Sequence, residues 1–68
     1  MHTNPILEQL TPRLGTLVAG SILTACRVLM DRGQSMAAYD VYLVACQAAQ
    51  VKDVLTGQAF NHALYETN

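Results

Sequence analysis

The stretch LMDRGQSMAAYDV at residues 29–41 decides the fold, because one helical pattern stops there and another begins. Arg32 places a cation in the last turn of the first helix, and Gly33 can adopt the left-handed conformation that ends helices. Ser35 can then cap a second helix. The stretch predicts an antiparallel helical hairpin with a helix at about 12–32, a turn at 33–35 and a helix at about 36–56.

Both predicted helices carry an apolar stripe at helical spacing. In a hairpin that turns at Gln34, facing residues have numbers that add to about 69, and the two stripes meet that condition along their whole length. This pairing predicts the seam of the hairpin. The seam consists of Leu14, Val18, Ile22, Ala25 and Leu29 on the first helix, and Val41, Val44, Ala48, Val51 and Leu55 on the second.

Two shorter segments flank the hairpin. Asn4-Pro5 is a helix-start signal, an Asx cap followed by proline in the first turn, and it predicts a short helical segment at Pro5–Leu10. Thr11-Pro12 repeats the signal and marks the start of the first long helix. Residues 58–65 can add a C-terminal helical extension. No strand-like alternation appears, so the expected fold class is all-α, with residues 1–68 forming a single helical-hairpin domain.

A second apolar face lies one residue beyond the seam positions on both helices, on the same side of the hairpin. Two helices alone would leave it in water, and exposed apolar patches of this kind usually mark interfaces. The predicted partner interface consists of Ala19, Leu23, Cys26, Met30, Ala38, Tyr42, Ala45 and Ala49. The alternative is that the chain covers this face itself, with Ile6, Leu7 and Leu10 from one end or Phe60 and Leu64 from the other.

The composition indicates a protein that binds proteins. Apolar residues make up 51% of the 68-residue chain and charged residues only 13%, which is more apolar surface than so small a core can bury. The net charge of −1, with no basic cluster, argues against nucleic acid. The longest uncharged run, Leu14 to Cys26, is shorter than the roughly 18 residues that a membrane span needs. No secretory signal is visible at the N-terminus, so we expect the protein in the cytoplasm, with Cys26 and Cys46 as reduced thiols.

No pattern in the sequence carries chemistry. His2 and His62 have no Cys, Asp or His one helical turn away, and the carboxylates are scattered rather than paired. The glycines form no phosphate-binding loop. A helix-turn-helix DNA reader would suit the short turn, but its recognition helix at 36–56 would hold one Lys against two Asp. We therefore expect no enzyme activity, no catalytic residue, no cofactor and no metal site.

The residues around the turn resemble a known family. Cys26-Arg27, then Met30 to Gly33, then Tyr39 six residues after the glycine, and a second helix ending in Val54-Leu55 are similar to the small E-type co-chaperones of type III secretion needle subunits, the YscE and PscE proteins. The resemblance covers roughly residues 23–55 and implies a helical hairpin. It also implies that the predicted interface docks on a tetratricopeptide-like partner chaperone, and that the pair keeps the needle subunit monomeric in the cytosol.

This chain departs from that family in having fewer charged and glutamine residues on its helices, and its two end segments have no clear counterpart there. Two other functions stay open on the sequence. One is a small intracellular inhibitor or regulator, for example phage- or plasmid-encoded, that acts by helical contact with another protein. The other is a homodimer in which two hairpins form a four-helix bundle.

Overall fold

The structure, a computed structural model, describes residues 4–66. The ends of the predicted 1–68 domain, residues 1–3 with His2 among them and residues 67–68, lie outside the described part. Helices account for most of residues 4–66, and no strand occurs among them, so the predicted all-α class is confirmed. The four helices are α1 at Pro5–Leu14, α2 at Thr16–Asp31, α3 at Ser35–Ala49 and α4 at Gln58–Tyr65.

The turn of the hairpin lies where the sequence predicts it. Gly33 has a φ of 78°, and its N–H donates to the carbonyl of Met30, while the N–H of Gln34 donates to the carbonyl of Leu29. These two bonds form a Schellman motif, which ends α2 and lets α3 return along it. The predicted cap at Ser35 is wrong, since Ser35 is the first residue of α3 and no side chain caps that helix.

The second helix of the hairpin ends seven residues earlier than the predicted Thr56, at Ala49. Gln50 takes the left-handed conformation with a φ of 58°, and the N–H of Val51 donates to the carbonyl of Cys46 at 3.0 Å. This is again a Schellman ending, but with glutamine in the position that glycine usually occupies. Sequence reasoning missed it because glutamine is an ordinary helix former.

The first helix also differs from the prediction, which started the long helix at Pro12. Instead α1 continues through Pro12 to Leu14, and the break falls at Gly15, whose φ is 87°. Pro12 lacks the N–H that would bond to the carbonyl of Glu8, yet the apolar face of α1 continues past it from the buried Leu10 to Leu14. Packing of that face outweighs the lost hydrogen bond.

The core lies on one side of the hairpin, where α1 packs on α2 and α3, and α4 packs on α1 and α2. The ring of Phe60 stands 5.2 Å from the rings of both Tyr39 and Tyr42, so α4 also closes over α3. The buried cluster consists of Ile6, Leu10, Ala19, Leu23, Cys26, Ala38, Tyr42, Ala45, Cys46, Ala49, Phe60, Ala63 and Leu64.

The predicted seam is therefore displaced by one residue from the observed core. Val18 and Val44, assigned to the seam, are 47% and 64% exposed. The reason is that α1 and α4 supply their own apolar side chains. The side of the hairpin that faces them becomes the interior, and the positions flanking it become its open edge.

One side chain joins the two ends of this structure. The Oδ1 atom of Asn4 accepts from the N–H of Ile6 at 2.8 Å and caps α1, as the sequence predicts. Its Nδ2 atom donates to the carbonyls of Ala63 at 2.7 Å and Glu66 at 2.9 Å, at the C-terminal end of α4. Arg27 adds a bond from Nε to the carbonyl of Leu64 at 2.7 Å. The buried Asn4 thus caps the first helix and the last one together.

We predict that Asn4→Asp destabilises the protein more than Asn4→Ser at pH 7. Both keep an acceptor for α1, and both lose the side-chain amide N–H groups that bond to the carbonyls at the end of α4, a loss of about 1–3 kcal/mol. The aspartate variant also places a carboxylate against those carbonyls. Burial raises the pKa of that carboxylate, so its extra cost should fall as pH drops from 7 to 4.

Urea unfolding followed by circular dichroism at both pH values measures this difference. Equal stability of the two variants at pH 7 would contradict the double cap. The serine variant serves as the control, because it has no group that titrates at that position.

Candidate functional site

The predicted partner interface is not a surface in the structure. Ala19, Cys26, Ala38 and Tyr42 are fully buried, Leu23, Ala45 and Ala49 nearly so, and only Met30 is half-buried. Buried side chains from both ends of the chain, Ile6, Leu10, Phe60 and Leu64, join them in one cluster. The assignment of these eight residues to an exposed interface is corrected on this ground, and self-coverage, the alternative reading, describes what is found.

Part of the apolar surface that stays open forms a groove between α2 and α3, about 400 Å³ in volume. It is built mainly from the residues that the sequence assigns to the seam. No residue of α4 or of the segment 50–57 contributes to its lining. The groove is lined by Leu14, Val18, Ile22, Asp40, Val41, Val44, Ala45 and Ala48.

One end of the groove is open because α3 ends early. The predicted seam pairs Val18 with Val51 and Leu14 with Leu55 on a continuous second helix. The turn at Gln50 instead takes Val51 and Leu55 out of the helix, and they pack against the core. The first turns of α2 therefore have no helix facing them. Side chains there that were predicted to pack in the hairpin seam lie next to solvent instead.

The chemistry of the groove is uniform. Every lining side chain except Asp40 is apolar, and Asp40 is exposed, so no charge is buried there. Ala45 and Ala48 keep the α3 wall low enough for another backbone to approach. A groove of this kind fits the apolar face of a helix, whose anchors recur at i, i+3, i+4 and i+7.

A polar network holds the segment after α3 in place. The hydroxyl of Tyr42 donates to Oε1 of Gln9 at 2.7 Å and accepts from the N–H of Leu55 at 3.4 Å. Gln9 in turn donates through Nε2 to the carbonyl of Lys52. Burial raises the pKa of Tyr42 to about 12. The tyrosine is therefore a neutral structural group that fixes residues 52–55 against α1 and α3.

The two cysteines are free and buried, which matches the expected reduced thiols. Burial raises the pKa of the Cys26 thiol to about 11, and burial also raises the pKa of Cys46. Reactive cysteines have lowered pKa values and partial exposure, so neither thiol has the character of a nucleophile. Within residues 4–66, no three Cys, His, Asp or Glu side chains converge to hold a metal ion.

None of the four helices described reaches the length and hydrophobicity that crossing a membrane requires.

We predict that Val44→Glu preserves the fold, whereas Leu23→Asp destroys it. Val44 is 64% exposed, while Leu23 is 5% exposed in the core. An unpaired charge at a buried position costs about 3–5 kcal/mol, which is from about a third to all of the roughly 3–10 kcal/mol expected for a chain of this length. Thermal unfolding by circular dichroism measures both variants. A folded Leu23→Asp protein, or an unfolded Val44→Glu protein, would show that the two faces are assigned the wrong way round.

We predict that stability falls as pH rises above about 9. The Cys26 thiol ionises near 9.0 in the unfolded chain and near 11 in the fold. The folded pKa is the higher one, so this contribution to stability is complete below pH 9 and is lost as pH rises through 11. Cys26→Ser keeps a donor for the carbonyl of Ala38 but does not titrate there.

Urea unfolding between pH 8 and 11 should therefore show a steeper loss for the natural protein than for Cys26→Ser. Parallel curves would mean that the thiol is not the titrating group. Tyr42 is common to both proteins and cancels in the comparison.

Comparison with protein-family models, with curated proteins and with solved structures finds no match for this chain.

Proposed function

We propose that this protein is a non-catalytic protein-binding module whose α2–α3 groove receives an apolar helix of another protein. The observation that carries the proposal is the groove itself: seven of its eight lining residues are apolar, and Val18 and Val44 remain 47% and 64% exposed after the chain has folded. The two ends of this chain cover one face of the hairpin, whereas the face that carries the groove stays uncovered. Apolar surface held open in this way usually marks an interaction site.

The partner helix has a definable chemistry. Its apolar stripe should be free of charge where it meets Val18, Ile22 and Val44, because a charge buried there would find no counterion. Asp40, the one charged residue in the lining, favours a Lys or Arg at the rim. We therefore propose an amphipathic helix with a basic residue beside its apolar stripe.

The resemblance to secretion co-chaperones gives the proposal its most specific form. In that form the partner is a tetratricopeptide-like chaperone in the cytoplasm, and the pair holds a needle subunit monomeric. Tetratricopeptide repeats are stacked helix pairs, so they can present a helix to a groove. The docking surface is the groove rather than the face first predicted, because that face lies in the core.

We predict that Val44→Glu strongly weakens partner binding and that Val54→Glu does not. Val54→Glu is the matched control, because Val44 and Val54 are similarly exposed, at 64% and 67%. Val44 lines the groove, whereas Val54 lies in a separate surface depression beside Pro5, Glu8 and Gln9 of α1. A glutamate in the groove would have to be desolvated against apolar side chains, which weakens binding by on the order of 100-fold.

The measurement uses the natural protein and both variants as affinity baits in cells of the source organism, followed by mass spectrometry. A protein retained by the natural chain and by Val54→Glu but lost from Val44→Glu is then purified and titrated against all three. Equal affinity for all three would contradict the groove proposal. A confirmed partner without tetratricopeptide repeats would replace the co-chaperone form with an inhibitor or regulator.

A further inference from the structure

The open face of the hairpin is wider than the groove. Besides the groove residue Val18, α2 exposes Ala25 and Val28. No charged residue occurs in the sequence between Arg13 and Arg27. Arg27 itself is held elsewhere, by its bond to Leu64 and by the ring of Tyr65 at 5.9 Å. Apart from Asp40, the two hairpin helices therefore present one continuous uncharged surface.

We propose that a second copy of this chain covers that surface when no other protein does, forming a two-fold dimer in which α2 and α3 of each copy pack on those of the other. Four helices then form a closed bundle around the two grooves. The proposal concerns the same groove as the proposed function but a different occupant, so each can fail without the other.

Charge is the first argument for a second copy. A surface with almost no charge can meet its own copy without repulsion between like charges. In a symmetric dimer the single groove carboxylate, Asp40, stays at the exposed rim in both copies. No charge is therefore buried in the dimer interface.

Shape is the second argument. The face alternates protruding valines, Val18 and Val44, with the small side chains of Ala25 and Ala48. When the surface meets its own copy, valines of one hairpin can enter the groove of the other, as knobs enter holes in helical bundles. The low alanine positions allow the helix axes to approach closely.

Size predicts the strength of the dimer. Helices of 15 and 16 residues are about 22–24 Å long, and two side by side are about 20 Å wide, giving a footprint of roughly 450 Å². That is about a tenth of the chain's 4431 Å² surface, the usual share for a small-protein interface. Two such footprints, about 900 Å², fall at the weak end of specific interfaces. We therefore expect a reversible dimer with a dissociation constant in the micromolar range or above.

Sedimentation equilibrium of the purified full chain, from about 1 μM to 1 mM, tests the proposal. The apparent mass should rise with concentration from one copy to two and stop there. Val44→Glu should raise the dissociation constant by on the order of 100-fold, and Val54→Glu should leave it unchanged. Val18→Glu, on the opposite wall of the groove, provides a second variant if Val44→Glu loses its helicity by circular dichroism.

A monomer at every concentration would overturn the proposal, and so would a dimer that Val44→Glu and Val18→Glu leave intact. Growth beyond two copies would also overturn it, because a closed two-fold interface has no free face left to propagate. If the natural protein is monomeric and Val44→Glu still loses its captured partner, the second copy is excluded while the proposed function stands. If the natural protein forms the expected dimer but captures no other protein, the second copy is supported and the proposed function fails.

Discussion

The side-chain amide of Asn4 is the contact on which the arrangement of this protein depends. Its oxygen begins α1 and its nitrogen ends α4, so one residue satisfies backbone groups at both ends of the described chain. Helix ends buried without partners are costly, and α4 has only eight residues. Such a short helix persists because its last carbonyls are bonded and its apolar side chains are buried. Once α4 is held beside α1, one side of the hairpin is closed.

That closure decides which face of the hairpin is the interior. Both candidate faces are apolar, and they differ by a rotation of one residue on each helix. Within an isolated hairpin, periodicity alone ranks them nearly equally, since each has the spacing of a helical stripe. Tyr42 resolves the choice physically. Its ring packs on Phe60, and its hydroxyl forms hydrogen bonds with Gln9 and Leu55. These partners lie on the side of the hairpin that α1 and the segment after α3 cover.

The sequence therefore predicts the parts of the structure that depend on local signals. The glycine stop at Gly33 and the cap at Asn4 are read correctly because each residue type has a specific backbone role. Gln50 is missed because glutamine is an ordinary helix former with no preference for the left-handed conformation that it adopts here. One end of the groove is open because of the turn at Gln50, and its walls are exposed because α1 and α4 pack on the other side of the hairpin. The candidate site therefore could not be predicted from the sequence, even though most of its lining residues were singled out. The seam residues were recognised as one apolar set, but they were wrongly placed with respect to solvent, and Val51 and Leu55 lie outside the helix in which they were paired.

The double cap at Asn4 also brings the two ends of the described chain together. Its side chain lies within hydrogen-bond distance of the backbone of Glu66, so residues 4 and 66 are spatial neighbours although 62 positions apart in sequence. Neither lines the groove. Polypeptide attached before one and after the other would leave from adjacent points, as in proteins that tolerate insertion as a unit into a host loop or covalent closure into a ring. Residues 4–66 therefore form almost a closed circle, and the groove lies away from the point where the two ends meet.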